Sequence, residues 1–522
     1  MKPMDAKAKI LWVDDEVEHL RPHILFLEQK GYDILTATNS DDALETVRNT
    51  RVDLVLLDEM MPGRGGIETL ALLKEMNPVL PVVMVTKSEE ESLMEDAIGG
   101  KIDDYLTKPV NPSQVLLTVK KFLEAKQIMG QKTAQDYIRD FNMVAAALMN
   151  PLEIDEWIDL YTNLVTWDLE LDEHPELGLD QTMLDQRREC NHAFSKFVEK
   201  EYRNWIEEET TILSPGVVDQ FLLPHLDSDK SIFFFVIDCL RLDQWLVMER
   251  HLQSLYSIEK SYYVSMLPTA TPYARNAIFS GLYPSELERI FPELWSTGQD
   301  DDYSMNKYEK ELLEKLLERR RIKLRNDLKY IKIIETSFGK QVEANIGSYA
   351  QNHLTVVVVN VVDMLAHGRS DYPILKEIAP DEAAYRSLTN SWFMYSSLFG
   401  MFKAIARLDN VRIVLTTDHG SVRCMRGVKV LGDRETSTNL RYKYGRNVKA
   451  DSRHALRITR PEEYRLPRRG VTVNYIIAKE DYYFVYPTDY NKYLTKYRDS
   501  FQHGGISLEE MILPVVVMEP RR

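Results

Sequence analysis

Three apolar runs beyond residue 230 end in aspartate: SIFFFVID at Asp238, TVVVVNVVD at Asp363 and VRIVLTTD at Asp418, which His419 follows directly. Such near-continuous apolar runs predict strands buried on both faces of a parallel sheet, so the acid closing each one emerges at a single edge. Carboxylates gathered there repel one another unless a cation sits among them. His367, four residues after Asp363, and His503 in FQHGG add imidazoles, and the mixed nitrogen and oxygen set suits zinc or manganese. These six side chains are enough for two ions with three ligands each, leaving positions open for a substrate. A single aspartate after a buried strand is more often a helix cap. The agreement of strand placement and chain order across the whole set is what points to chemistry.

The N-terminal part of the chain carries a second cluster built from oxygen alone. Asp14 and Asp15 follow KILWV and Asp58 follows VDLVLL, a hard-oxygen set suited to Mg2+. Thr86 closes the next apolar run and Lys108 precedes Pro109 after the following one, so a hydroxyl and an ammonium are available to grip phosphoryl oxygens. A third stretch, PTATPYARNAIFSGLYP at 268–284, begins 30 residues after Asp238, the span of one crossover connection. Its hydroxyls, Thr269 and Thr271, are poor nucleophiles near neutral pH unless a divalent ion activates one of them.

At 522 residues the chain is too long for one core, and about three domains are expected. Residues 1–122 alternate short apolar runs with amphipathic stretches such as SDDALETVRN, which predicts a doubly wound (βα)5 fold. Residues 123–213 change to long stretches with helical spacing, including EIDEWIDLYTNLVTWDLEL, which predicts a helical bundle. LSPGVVDQFLLPHLDSDK, with two prolines and a glycine, reads as a connector, and the strands that return make 214–522 a second, larger α/β domain.

Composition narrows the classes further. Apolar residues at 44% and charged residues at 28% fit a soluble globular protein. No apolar run reaches the roughly 20 residues that cross a bilayer, and the N-terminus enters a strand without a secretory segment, so no membrane insertion and a cytoplasmic location are expected. Cys190, Cys239 and Cys424 have no CxxC spacing, which argues against a disulfide framework or a thiolate zinc site. A net charge of −16 argues against general duplex DNA binding. Acids are plentiful in 123–213, and no helix-turn-helix with a basic recognition helix is read there. Fourteen Lys or Arg against five acids between 423 and 470 suit a polyanionic substrate, with Tyr442, Tyr444 and Tyr464 as candidates to stack bases.

VDDE, DEMMPGRGG at 58–66, Thr86 and YLTKP together resemble the receiver domain of two-component response regulators. The resemblance implies Asp58 as phosphoacceptor, a sensor histidine kinase as phosphodonor, and Mg2+ held by Asp14, Asp15 and Asp58. It also implies Thr86 and Lys108 as phosphate contacts and Tyr105 as the aromatic that moves on activation. PTATPYARNAIFSGLYP resembles the nucleophile segment of the alkaline phosphatase superfamily, most closely the nucleotide pyrophosphatase/phosphodiesterase branch. That implies attack on phosphorus by Thr271 rather than Thr269. It also divides the ligands into two trios, Asp238, Asp418 and His419 beside Thr271, and Asp363, His367 and His503, with the ions about 4 Å apart. Where that branch has an asparagine three residues after its nucleophile, this chain has Ala274, with Arg275 and Asn276 nearby.

FVIDCLRLDQW, LPTATPYARNAIFSGLYPSE and HGGISLEEMILPVVV look more like the PglZ subgroup of the superfamily, and a receiver, a helical linker and a PglZ domain in one chain resemble PorX-type response regulators. For that family the resemblance implies two Zn2+ ions, with Mn2+ as the alternative, and phosphodiesterase action on linear and cyclic oligonucleotides. It further implies a homodimer on phosphorylation and control of type IX secretion, with a sigma factor or secretion-system component as partner. A reading from another class is a signalling adaptor whose metal site is structural and whose output is phosphorylation-dependent dimerisation and docking.

Overall fold

Every residue of the first strand, KILWV, is apolar except the lysine, because both faces of the sheet it joins are covered. A computed structural model of the chain describes residues 8–87, 102–123, 125–295, 306–432, 439–468, 470 and 472–522. Residues 433–438 and 469 of the basic segment therefore lie outside the described residues. The chain divides into two compact units, Met1–Ile138 and Arg139–Arg522.

The first unit is a five-stranded sheet of β1 (Lys9–Val13), β2 (Asp33–Ala37), β3 (Leu54–Asp58), β4 (Val82–Thr86) and β5 (Asp104–Thr107). The strands run parallel in the order β2-β1-β3-β4-β5. The two-residue period of a strand splits its apolar residues between two layers. Leu11, Val13, Val55 and Leu57 join the core on one face, and Ile10, Trp12, Leu54 and Leu56 the core on the other. Helix Ser40–Asn49 starts where the Asn39 side chain accepts the Asp42 N–H at 2.9 Å, with Asp41 and Asp42 in the positive first turn. Helix Gly66–Met76 approaches β3 so closely that a Cβ on Gly66 would stand 2.4 Å from the Asp58 carbonyl oxygen, so only glycine fits there.

The second unit is built on β6 (Ser231–Ile237), β7 (Tyr256–Val264), β8 (Lys329–Ile333), β9 (Leu354–Val359), β10 (Val411–Thr416) and β18 (Ile512–Pro520), in the order β7-β18-β10-β6-β9-β8. β10, β6, β9 and β8 are parallel, and β18 runs antiparallel to both β10 and β7. Alternate residues Phe233, Phe235 and Ile237 face a large apolar core, while Phe234 turns to the other face and meets Phe279 edge-on. Smaller sheets surround the C-terminal edge. β11 (Val422–Cys424) pairs with β17 (Ser500–Gln502), β12 (Arg426–Lys429) with β16 (Tyr482–Val485), and β13 (Tyr442–Arg446), β14 (Ala455–Ile458) and β15 (Val473–Ala478) form a three-stranded sheet. Helices Ile154–Asp172 and Asp180–Glu208 belong to this unit as well.

Two local expectations are corrected. The connector after residue 213 is a run of short helical turns over Ser214–Leu226, with Ser214, Val217, Val218 and Leu222 fully buried, so its apolar residues pack rather than span solvent. The run ending in Asp363 is not one strand. β9 stops at Val359, and Asp363 lies in the first turn of helix Val361–Asp371. The apolar continuity of VVVVNVVD conceals the change, which falls at Asn360.

Candidate functional site

The C-terminal edge of the second sheet gathers the six ligand candidates into two groups, Asp238, Asp418 and His419, and Asp363, His367 and His503. Within each group the ligand atoms lie within 4.8 Å of one another. Asp238 directly follows β6, and Asp418 and His419 follow the neighbouring β10 by two and three residues. Asp363 and His367 sit one helical turn apart on helix Val361–Asp371, which brings His367 Nε2 to 3.4 Å from Asp363 Oδ1. His503 follows β17, and its Nε2 is 3.6 Å from the same oxygen. The rings of His419 and His503 stack at 4.2 Å with 18° between their planes, so the two groups adjoin.

Each acid of the first group commits one oxygen to hydrogen bonds with the protein and leaves the other without one. Asp418 Oδ1 accepts the backbone N–H groups of Cys239 at 3.3 Å and His419 at 3.1 Å. Cys239 reaches it from a left-handed turn, φ 62°, a conformation that costs a non-glycine residue and that functional sites tend to hold. Asp238 Oδ2 accepts from Arg275 Nη2 at 2.7 Å. Asp238 Oδ1, Asp418 Oδ2, Asp363 Oδ1 and His503 Nδ1 are buried without a hydrogen-bond partner. Orphaned lone pairs at this density are costly. The nitrogen and oxygen donors that carry them fit zinc or manganese, and the chain supplies three candidate ligands per ion.

The electrostatics agree with that fit. Burial pushes the Asp238 carboxyl well above its ordinary range, against the pull of Arg275 and with the help of the Asp418 and Asp363 charges. Burial acts the same way on Asp418, but His419, Arg275 and the Cys239 N–H outweigh it and hold the group below its usual value. Burial, followed by the neighbouring His419 and His367, keeps His503 well below the usual histidine range, and therefore neutral with a lone pair to give.

Thr271 is the first residue of helix Thr271–Ser280, and its Oγ1 stands 2.9 Å from His419 Nε2. The Gly420 carbonyl, which only accepts, lies 3.1 Å from His419 Nδ1, so that nitrogen carries a proton, and Nε2 faces the hydroxyl. Thr269 is differently employed. Its hydroxyl donates to the Gly505 carbonyl at 2.8 Å and accepts the Gly504 N–H at 3.2 Å, fixing the loop that carries His503.

Sequence reasoning left Arg275 as a neighbour, yet it is 1% exposed and central. Its Nε lies 3.2 Å from Asp418 Oδ2 and 3.3 Å from Glu309 Oε1, and its Nη1 donates to Asn360 at 3.3 Å. An arginine one turn after Thr271, the one charged residue of that helix, was the available signal. Asn276 bonds back to the Pro272 carbonyl at 2.9 Å, within its own helix. The stacking tyrosines are corrected: Tyr442 is buried edge-on to Tyr273, Tyr464 is buried and stacked on Tyr202, and Tyr444 is half-buried against Tyr475. Arg441, from the same basic segment, is fully buried on Glu510.

In the first unit the ligand atoms of Asp14, Asp15 and Asp58 also lie within 4.8 Å of one another, an all-oxygen set that fits Mg2+. Lys108 Nζ bonds Asp14 Oδ2 at 2.8 Å and Asp58 Oδ1 at 2.9 Å. Burial raises the Asp58 carboxyl, with Asp14 and Asp15 adding to the rise and Lys108 opposing it. The Thr86 hydroxyl donates to the carboxylate of Glu59, a partner that the sequence did not single out. Tyr105 on β5 is 44% exposed.

Three family models match in chain order: the response regulator receiver domain over 10–120, the PorX response regulator linker domain over 127–206, and the BREX system PglZ alkaline phosphatase-like domain over 217–518. The chain is 36% identical over 122 residues to the alkaline phosphatase synthesis transcriptional regulatory protein PhoP of Bacillus subtilis, 23% of this chain and 50% of that protein. It is 38% identical over 117 residues to the transcriptional regulatory protein ResD of the same organism, 22% of this chain and 48% of that protein. The chain thus spans about half the length of these curated relatives. A CheY-like receiver domain structure from Methanospirillum hungatei is similar at 28% identity and a TM-score of 0.22, covering 23% of this chain and 95% of that one.

Proposed function

The chain belongs to the PglZ alkaline phosphatase-like family and is a response regulator of the PorX type, and from that premise we propose that its output is hydrolysis of phosphodiesters at Thr271, switched by phosphorylation of Asp58. The observation that carries this reading is the 2.9 Å contact of the Thr271 hydroxyl with His419 Nε2, inside a buried trio in which Asp238 Oδ1 and Asp418 Oδ2 accept no hydrogen bond. Divalent ions bound by the two trios, zinc in our reading with manganese as the alternative, would lower the pKa of the Thr271 hydroxyl and neutralise charge on a phosphodiester in line with it.

The chain's own residues do the rest. The Gly420 carbonyl fixes the ring of His419, the Cys239 and His419 N–H groups fix Asp418, and Arg275 fixes Asp238. Thr269 holds the loop of His503. Burial around Thr271, which is 7% exposed, excludes competing water. As Oγ1 bonds to phosphorus, one ester P–O bond breaks and its alcohol leaves with the threonine proton; water then breaks the Thr271–phosphorus bond, restoring the hydroxyl and releasing the phosphate monoester. Linear or cyclic oligonucleotides are the proposed substrates.

In the same reading Asp58 takes its phosphoryl group from a histidine kinase, with Mg2+ at Asp14, Asp15 and Asp58, with Thr86 and Lys108 as phosphate contacts, and with Tyr105 moving on activation. The proposed division is receiver 1–122, helical linker 123–213 and catalytic domain 214–522. Homodimerisation on phosphorylation, cytoplasmic location and control of type IX secretion through a sigma factor or secretion component complete it. No helix among the described residues is long and apolar enough to cross a membrane.

The test is hydrolysis of an aryl phosphodiester and of a short oligonucleotide by purified protein, with zinc and after chelation. Activity that survives both Thr271→Ala and chelation sinks the reading. The adaptor reading draws on the burial of the first trio, and it expects signalling in cells to persist in Thr271→Ala.

A further inference from the structure

Asn191 lies in the long helix Asp180–Glu208 and is buried, where an amide is costly unless both of its ends are paired. Both ends are used on one turn near the end of the chain. Its Nδ2 donates to the Glu509 carboxylate oxygens at 3.0 and 3.3 Å, and its Oδ1 accepts the Leu508 N–H at 2.8 Å. Arg187, one helical turn earlier, brings Nε to 3.8 Å from Glu509 Oε1.

That turn touches both metal-ligand groups. The Glu509 carbonyl packs against Gly420 so tightly that a Cβ there would stand 1.9 Å from it, and the Glu510 carbonyl accepts the Gly420 N–H at 3.2 Å. Gly420 adjoins His419 and accepts its Nδ1–H. On the other side, Glu510 Oε1 accepts the Gly505 N–H at 2.8 Å, two residues beyond His503, while Arg441 holds the same carboxylate. A displacement of the long helix carried through Asn191 therefore reaches Gly420 and Gly505 together, and with them the stacked rings of His419 and His503.

We propose that Asn191 is a positioning residue through which the long helix sets the geometry of both ligand trios. The inference rests on the reading that the trios hold divalent ions. It assigns the helical segment a direct part in shaping the metal centre, at a residue far from it in sequence.

The experiment titrates the full chain with cobalt(II) alone, whose visible absorption reports ligand number and geometry, and compares wild type with Asn191→Asp. Aspartate still accepts the Leu508 N–H but sets a second carboxylate against Glu509. Cobalt affinity is expected to fall about tenfold or more, with an altered visible band. The double variant Asn191→Asp/Glu509→Gln, which restores a donor and an acceptor with their roles reversed, is expected to recover both. Asn191→Ala adds no charge and serves the same comparison should the aspartate variant not fold.

Cobalt spectra and affinities in the Asn191 variants identical to wild type overturn the inference, as does a double variant that stays as weak as the single one. A wild-type chain that takes up no cobalt overturns the metal reading and this inference with it. Cobalt uptake with the expected shifts but no phosphodiester hydrolysis sinks the proposed activity and leaves Asn191 in its role.

Discussion

Thr269 and Thr271 stand two residues apart in one short motif, and their hydroxyls face different partners. Thr271 meets His419 beside carboxylate oxygens that accept no hydrogen bond, whereas Thr269 is occupied by the backbone of Gly504 and Gly505. Thr271→Ala is therefore expected to lower kcat on an aryl phosphodiester on the order of 10³-fold or more with little change in unfolding free energy. Thr269→Val is expected to show the reverse emphasis, losing about 1–2 kcal/mol in urea unfolding while keeping most of its activity. Asp238, Asp418 and His419 were placed together by strand ends and chain order alone, whereas Asp363 and His367 lie on a helix whose start the apolar run concealed. Asn191 and Glu509 were not legible in the sequence, since a pair 318 residues apart becomes a pair only when a particular helix is laid on a particular turn.

At the scale of elements, strands showed themselves by apolar runs, but the ties between helices did not. Arg386, on helix Glu382–Tyr395, reaches Asp168 at 2.6 Å and Asp172 at 2.7 Å on helix Ile154–Asp172, and Asp243 at 3.2 Å on helix Leu242–Glu249. Local spacing carries no trace of this, because each charge sits among residues that also suit a solvated helix face. Arg386→Met leaves the buried Asp243 and the more exposed Asp168 and Asp172 short of a partner and is expected to cost about 3 kcal/mol in urea unfolding.

The same cluster sets an acid limit. Burial alone would raise the Asp243 carboxyl, but Arg241 first, then Arg386 and Arg187, hold it below the usual range. A carboxyl with a depressed folded pKa stabilises the fold above its unfolded value of about 3.9, and that contribution is lost as pH falls through this value toward the folded one. The urea midpoint of the wild type is expected to begin falling below about pH 5 and to fall most steeply below about pH 4. Asp243→Asn is expected to begin lower at neutral pH and to fall less over that range.

For the whole molecule, the chain divides into two compact units, and helices Ile154–Asp172 and Asp180–Glu208 bury their apolar faces within the larger one. The buried residues of the long helix, among them Phe194, Val198 and Tyr202, recur at helical spacing, but the pattern does not say what covers them. If phosphorylation is read out by self-association, beryllofluoride with Mg2+ is expected to double the sedimenting mass of the wild type and to leave Asp58→Asn unchanged. Equal masses with and without the mimic would remove dimerisation from the proposed switch.

The two trios differ in how far they lie from water: Asp238, Asp418 and His419 are sealed, while the His367 side chain is 46% exposed. If the trios hold ions as proposed, one in the outer position would trade ligands with solvent through that imidazole, and one in the inner position would leave only after the fold opens locally. Stripping by a chelator is thus expected to proceed in two phases, a fast one that His367→Ala accelerates and a slow one that follows backbone hydrogen exchange at Thr417–His419. Scarcity of metal would in this way silence half the centre long before it empties, leaving a folded regulator whose readiness tracks the supply of a trace element.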